Sequence, residues 1–546
     1  MTKRFELVLR TIVITSLLVA ILASAGCQDS GLWAPVPTSA VKPATPVSTP
    51  PATATPAPPV TSAPNTPTLP APTSTTVVPS PSPKPATPSP TAVPPALSRT
   101  ASEKVLVPDV TGMVTRSLVA SPDVRRVAYQ VKSGDKLSVV VDGVPGREYD
   151  AIDSLVFSSD SKRVAYAATL GKKEFAVVDG TEGKQYDGLG SIVFSPDGKR
   201  VGYPAASGGK ALAVVDGTES KLYEAIGSVK FSPDSKRIAY GAKAGGKILA
   251  VVDGKEGKGY DAVGSLSFSS DSRRVAYAAK GTGIFAVVDG VEGKAYNGVE
   301  SLSFSPDGKR VGYIAQSREG DRVVVDETEA KLYDIVDSLV FSPDSQRVAW
   351  EAKIGEKWMA VVDGVEGPMY DGMRVGLKFS PDSKRLAYMA TVGGGNIITV
   401  SARASDPRGR ARLLAATPDK NVVVVDGVEG KHYDAVDLLQ FSPDSRRVAY
   451  MASLGTKSFP VVDGVEGLAS GDFGIGSLTF SPDSRLAAHS AYQADGWSVV
   501  VNGTEGQRYK GMSLIEEETI VFDSPTSWHY LALRDNALCV VDEQLK

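Results

Sequence analysis

FSPDSKRIAYGAKAGGKILAVVDG, residues 231–254, holds two blocks of small and β-branched residues, Ile238 to Ala242 and Ile248 to Val252, set off by Ser, Pro, Asp and Gly. Apolar blocks this short, broken at such close intervals, mark strands rather than helices. Pro233 stands second in the tetrapeptide Ser232 to Ser235, where its fixed φ suits a type I turn. Asp253 and Gly254 supply the two positive φ values of a tight hairpin. Extended to its neighbours, the stretch reads as four strands: Ser228 to Ser232, Arg237 to Ala242, Ile248 to Val252, and a fourth through Gly257 to Val263 that carries Tyr260.

The same unit recurs along the chain. Phe157, Phe194, Phe231, Phe268, Phe304, Phe341 and Phe379 open successive copies 36 to 38 residues apart. A fixed period of this size signals a repeat architecture. One four-stranded sheet of Val, Ala and Gly cannot bury enough surface alone, whereas sheets stacked around an axis give each other two packed faces. The fold class expected is therefore all-β, a β-propeller of about eleven four-stranded repeats of roughly 37 residues, as one wide ring or two rings.

The run Ser-Pro-Asp-Gly/Ser-Lys-Arg before an apolar strand, at Ser195 to Tyr203, Ser305 to Tyr313 and Ser442 to Tyr450, resembles the WD40-like repeat of TolB-type β-propellers. The resemblance covers roughly residues 105 to 546. The Trp-Asp and Gly-His signatures of true WD40 blades are missing, as is the spacing of sialidase Asp-boxes. What it implies is a propeller with protein partners in the cell envelope. TolB's helical domain has no counterpart here, so TolB's own role is not carried over.

The last copy shows three strands, around Ile520 to Phe522, His529 to Leu533 and Ala537 to Val541. A strand-like run before the first copy, Val105 to Val107 and then Thr115 to Val119, is expected to pair with it and lock the ring.

Ahead of the repeats, residues 1–26 carry Lys3, Arg4 and Arg10 and then an uncharged apolar run, the layout of a signal peptide. Leu22 to Cys27 resembles a bacterial lipoprotein processing site, which implies lipidation at Cys27. Residues 27–100 are dominated by Pro, Thr, Ser and Ala, a composition that buries no core and reads as a disordered stalk. Residues 101–546 form the repeat region, with an insertion at 392–420 in the eighth copy. The localisation expected is extracytoplasmic, anchored to the membrane or cell surface by the lipid.

A net charge of −3 with both signs interspersed argues against a nucleic-acid partner. With Cys27 lipidated, Cys539 is alone in a valine-rich run and reads as a buried small hydrophobe. Only His432, His489 and His529 are present, without ligand-like spacing, and no G-x-S-x-G elbow occurs, so no catalytic residue, metal or cofactor is assigned. Residues repeated in every copy are scaffold: the arginines Arg163, Arg200, Arg237 and their equivalents are expected to pair with the turn aspartates Asp160, Asp197 and Asp234. The aspartates of the Asp-Gly turns offer one carboxylate each, too few for calcium.

Departures from the repeat carry the candidate partner-binding residues. These are Trp350 and Trp358 in the seventh copy, Arg403, Arg408, Arg410 and Arg412 in the insertion, and Trp497 in the tenth, since aromatic and Arg residues populate binding surfaces. Glu351 departs from the repeat as well, and Leu468 to Gly474 replaces the tyrosine of the ninth copy. The function expected is a non-enzymatic envelope module that binds or scaffolds proteins. Glycan or polymer binding is the alternative, and a hydrolase with its site in a central channel a third.

Overall fold

The computed structural model describes residues 97–114, 117–393, 420–469, 477–493, 496–510 and 520–546. The signal-like segment 1–26, Cys27, the stalk up to residue 96 and residues 394–419 with Arg403, Arg408, Arg410 and Arg412 lie outside the described residues.

Eleven antiparallel sheets follow one another along the chain, and the described residues contain no α-helix. The blades span 119–149, 151–182, 188–219, 225–260, 262–292, 298–329, 335–366, 372–429, 435–466, 478–509 and 521–545. In the blade around the opening stretch, Lys230–Phe231, Ile238–Ala244, Lys247–Val252 and Lys255–Tyr260 pair in order. The expected fourth strand is shorter than the sequence implies: it ends at Tyr260, and Ala262–Val263 opens the inner strand of the next blade by pairing with Val275–Lys280. The two turn assignments hold. Ser235 N–H donates to the Ser232 carbonyl at 2.8 Å, and Asp253 and Gly254 have φ of 52° and 76°.

Each blade shares a buried cluster with the next, and the eleventh shares one with the first through Leu106, Leu118, Val127, Leu531 and Leu538. The circuit is therefore one ring. Closure comes from Arg99–Val107, which pairs antiparallel with Ala537–Leu545 and supplies the eleventh blade's missing strand. Val119 does not take part; it belongs to the inner strand of the first blade. First strands of neighbouring blades approach one another, as Ile335–Phe341 does Gly372–Phe379, so the first strands form the inner wall.

Three recurring contacts fasten blade to blade. Each second-strand arginine makes several at once. Arg163 donates from Nε to Asp179 at 2.8 Å and from Nη1 to the Lys199 carbonyl of the next blade at 2.6 Å, and lies 5.4 Å over the Phe194 ring. The expected pairing with Asp160 is corrected: that carboxylate takes the Ser158 hydroxyl at 2.6 Å, because the tight turn folds it back on its own strand. Planar, multiply donating arginine suits this place, whereas the neighbouring position accepts Lys162, Gln346 or Arg446. In these pairs the arginine is about one-third exposed and the aspartate nearly half, so each contributes under about 1 kcal/mol.

Tyrosines supply the second contact. Tyr149 is enclosed, packs edge-on to Tyr166 with centroids 6.1 Å apart, and donates its hydroxyl to Glu182 of the next blade at 2.9 Å. Burial raises its pKa. Serine supplies the third, with Asp197 N–H donating to Ser235 Oγ one blade on at 2.9 Å.

Candidate functional site

With the repeated side chains engaged in this scaffold, chemistry is sought where one blade differs from the rest. The inner strands carry such a difference. In blades two, six, seven and nine the strand bulges after an acid, and the next residue has a positive φ: Asp153 before Ser154, Glu300 before Ser301, Asp337 before Ser338, Asp437 before Leu438. Blades three to five have Gly190, Gly227 and Gly264 at this place. The acids are exposed on the inner wall.

The residue facing that place from the second strand is Ala167, Ile314, Met389 and Met451 in blades two, six, eight and nine. In blade seven it is Glu351, directly opposite Asp337. Glu351 is 2% exposed and its Oε1 has no hydrogen-bond partner. Burial first, then the Asp337 charge, pushes its pKa up to about 7, against the Gly376 N–H that donates to it. Glu300 is raised by burial and by the charges of Asp321 and Asp337, and Asp321 by burial. Four carboxyl groups from two adjacent blades thus crowd one sector of the wall. Asp321 Oδ2 accepts from Val336 N–H at 3.4 Å, and Asp337 Oδ1 from Ser338 N–H at 2.7 Å.

A second cluster marks the closure seam. Arg125 of the first blade donates to Asp523 and to Asp542 of the eleventh, each at 3.0 Å. His529 Nδ1 lies 2.9 Å from Asp523 and 3.1 Å from Arg125, and its Nε2 donates to the Asp123 carbonyl at 2.7 Å. Asp523, His529 and Asp542 bring three ligand atoms within 4.8 Å of one another, but the Arg125 guanidinium already occupies the place of a cation. A pocket of about 410 Å³, lined among others by Thr100, Ser102, Trp528 and Glu543, opens beside it. The cluster replaces the arginine contact of regular blades, since Ser527 stands here where they have arginine, and it reads as a lock.

Of the expected partner-binding residues, the described ones are the three tryptophans, Trp350, Trp358 and Trp497; Arg403, Arg408, Arg410 and Arg412 lie outside the described residues. Trp350 is 3% exposed and fills the core between blades six and seven, so it presents no surface. Trp358 is half-buried under Lys353, 5.9 Å from its ring, and Trp497 packs edge-on to Tyr492 at 5.2 Å. Cys539 is buried and free. Glu351 was marked in the sequence by a lone acid in an Ala- and Val-rich strand. Asp337 and Glu300 carried no such mark, because an acid alternating with apolar residues on an edge strand is ordinary solvent patterning, and neither did Asp321, an acid at the start of its strand beside a turn.

No known protein family matches the chain, and no curated protein does. Among solved structures, the chain is similar to a eukaryotic initiation factor at 12% identity, over 63% of this chain and 95% of that one, with a TM-score of 0.35. It is similar to TolB from Acinetobacter baumannii at 19% identity, over 47% of this chain and 64% of that one, TM-score 0.21. It is also similar to Kuenenia stuttgartiensis hydrazine synthase at 12% identity, over 50% and 94%, TM-score 0.24.

Proposed function

We propose that the ring is a non-enzymatic binding or scaffolding module that presents its surface to a protein partner, held outside the cytoplasm by a lipid on Cys27 and spaced from the membrane by residues 27–100. The observation that supports this reading most directly is the engagement of the recurring Arg, Asp, Tyr and Ser side chains in blade-to-blade contacts, which makes a rigid display surface and leaves few groups for chemistry. Affinity capture with the full chain from solubilised envelope is the test. A protein retained by wild type and released by a soluble ring lacking the insertion at 392–420 supports the reading; retention of polysaccharide in place of protein moves the assignment to the glycan alternative.

A hydrolytic reading draws on one observation, the facing carboxyls of Asp337 and Glu351. The Glu351 oxygen that lacks a partner is closed to solvent, which sets it apart from an acid that touches a substrate. Glycosidase and esterase assays on wild type and Asp337→Asn decide between the two: turnover lost in the variant favours the hydrolase.

A further inference from the structure

Two features of the blade six to seven wall call for an explanation. One is the buried Glu351 carboxyl, one oxygen of which, Oε1, has no partner, and which stands where other blades place Ala, Ile or Met. A carboxyl in such a place costs stability as an ion unless something cationic compensates it. The other is its setting, with the exposed acids Asp337 and Glu300 in front of it and Asp321 beside them. Buried polar groups without partners are rare in folded proteins, and where they persist they point to function.

We propose that this sector binds an extended cationic segment of a protein partner, with lysine or arginine side chains seated on Glu300 and Asp337 and their charge compensating Glu351 behind. The proposal rests on the protein-binding reading and names the partner's chemistry. A compact metal ion fits less well, because the described residues bring three ligand atoms within 4.8 Å of one another only at Asp523, His529 and Asp542. Carboxyls spread along a wall match charges spread along a chain.

Among the described side chains, the charged groups around Glu351 are Asp337, Glu300, Asp321 and Lys353. Asp337 faces it from the inner strand, and Glu300 and Asp321 stand on blade six. Lys353 lies two residues along its own strand, against Trp358. On the inner strand of blade eight, Arg374 holds the register position that Asp337 holds in blade seven, and Lys378 follows it. Ionisation of Glu351 as pH rises through about 7 adds a negative charge behind the site, so a cation binds more tightly on the alkaline side and releases a proton as it binds.

The probe is hexalysine, titrated into the lipid-free ring with its stalk at low salt, by calorimetry, at about pH 5 and about pH 8. The expected result is binding about tenfold or more tighter at the higher pH, with proton release visible as a buffer-dependent heat when the titration is repeated at about pH 6.5. Glu351→Gln is expected to shrink the pH dependence to what Glu300 and Asp321 contribute towards about pH 5, and Glu300→Gln with Asp337→Asn to weaken binding about tenfold or more. Asp437→Asn, an inner-wall acid without a buried partner behind it, is expected to bind as wild type. Equal binding at both pH values, no binding by wild type, or unchanged binding in the Glu300/Asp337 variant overturns the proposal. Protein capture that survives in the Glu300/Asp337 variant overturns this site alone, whereas absence of any captured protein strikes the protein-binding reading and leaves the hexalysine result standing.

Discussion

The hydroxyl of Tyr509 donates to the carboxylate of Glu103 at 3.0 Å, across 406 residues of chain. Elsewhere in the ring the same contact joins a tyrosine to a glutamate one period further on, as Tyr186 does with Glu219 at 2.8 Å. The strand that closes the ring therefore brings with it the side chain that the closing blade would otherwise lack. Arg534 completes the arrangement by ion-pairing with Glu103.

Closure predicts a graded loss of stability. Removing Arg99–Val107 strips the eleventh blade of a strand and uncovers Leu538 and Val540, so the ring should unfold at markedly lower denaturant, with its cooperative transition broken. Glu103→Ala leaves the strand and removes one acceptor from a buried tyrosine, which costs about 1–3 kcal/mol. Urea titration followed by tryptophan fluorescence separates the two, and equal stability of the truncated and intact rings refutes the closure.

A second prediction concerns two matched pairs of turns. Where the next blade has glycine in its turn, at Gly198 and Gly308, the preceding blade replaces proline with serine, and Ser159 and Ser270 donate to the carbonyls of Pro196 and Pro306, each at 2.5 Å. Elsewhere the turn serine of the next blade accepts from a backbone N–H, as Ser272 does from Asp234 at 2.9 Å. A Cβ at Gly198 would lie 2.6 Å from Asp160 Oδ1 as the turn now sits. Ser159→Pro and Gly198→Ser should each destabilise by roughly 1 kcal/mol, while the double variant recovers the ordinary pairing, giving a coupling of about 0.5–2 kcal/mol. Additive losses in the double-mutant cycle would remove the link.

Much of the ring was legible in the sequence because its turns are local. Pro233 and the pair Asp253–Gly254 specify their conformations within four residues, the phenylalanine spacing gives the period, and the three-stranded last copy points to closure from the N-terminal side. Contacts from blade to blade were not legible. Arg163 has Asp160 and Asp179 both close in sequence, and only the fold shows that the second accepts its Nε. In a periodic chain every copy offers the same partner, so the link to the next blade becomes visible only where two departures compensate, as at Ser159 and Gly198. The wall site was half legible. Glu351 departs from its strand, but its significance depends on Asp337 lying opposite in register and on burial.

Glu351 makes stability depend on pH in an unusual direction. Its folded pKa is raised from the ordinary 4.5 to about 7, so the protonated form belongs to the folded ring. The ring is expected to be fully favoured below about pH 4.5 as far as this group is concerned, and to lose stability as pH rises to about 7, by on the order of 3 kcal/mol. Glu351→Met, which copies Met389 and Met451, should raise the melting temperature at about pH 8 and change it little at about pH 4.5. A variant less stable than wild type at both values would mean that the second carboxyl oxygen is paired as well.

His489 works against Glu351 over the same pH range, and it sits at the seam whose buried cluster is smallest among the described residues. Most other seams carry an edge-on tyrosine pair, such as Tyr433 with Tyr450 at 6.1 Å. Between blades nine and ten, His489 takes the place of the second tyrosine, and the buried cluster among the described residues comprises Ala449, Met451, Leu478, Phe480 and Ala487. Burial lowers the His489 pKa from 6.5 to about 4, so the neutral ring belongs to the folded state. Its contribution is complete above about pH 6.5 and is lost as pH falls towards 4, on the order of 3 kcal/mol in all. The turn aspartates do not titrate in this window, since serine hydroxyls hold their pKa values below the ordinary 3.8. Glu351 gains over the window what His489 loses, so a global melting curve conceals both. Hydrogen exchange resolves them: between about pH 7 and about pH 4.5, after correction for intrinsic rates, strands Val448–Leu454 and Ala487–Gln493 are expected to lose protection before those of blades two to five. His489→Tyr should abolish that selective loss. Uniform protection around the ring at about pH 4.5 would show that the ninth and tenth blades are held as firmly as the rest.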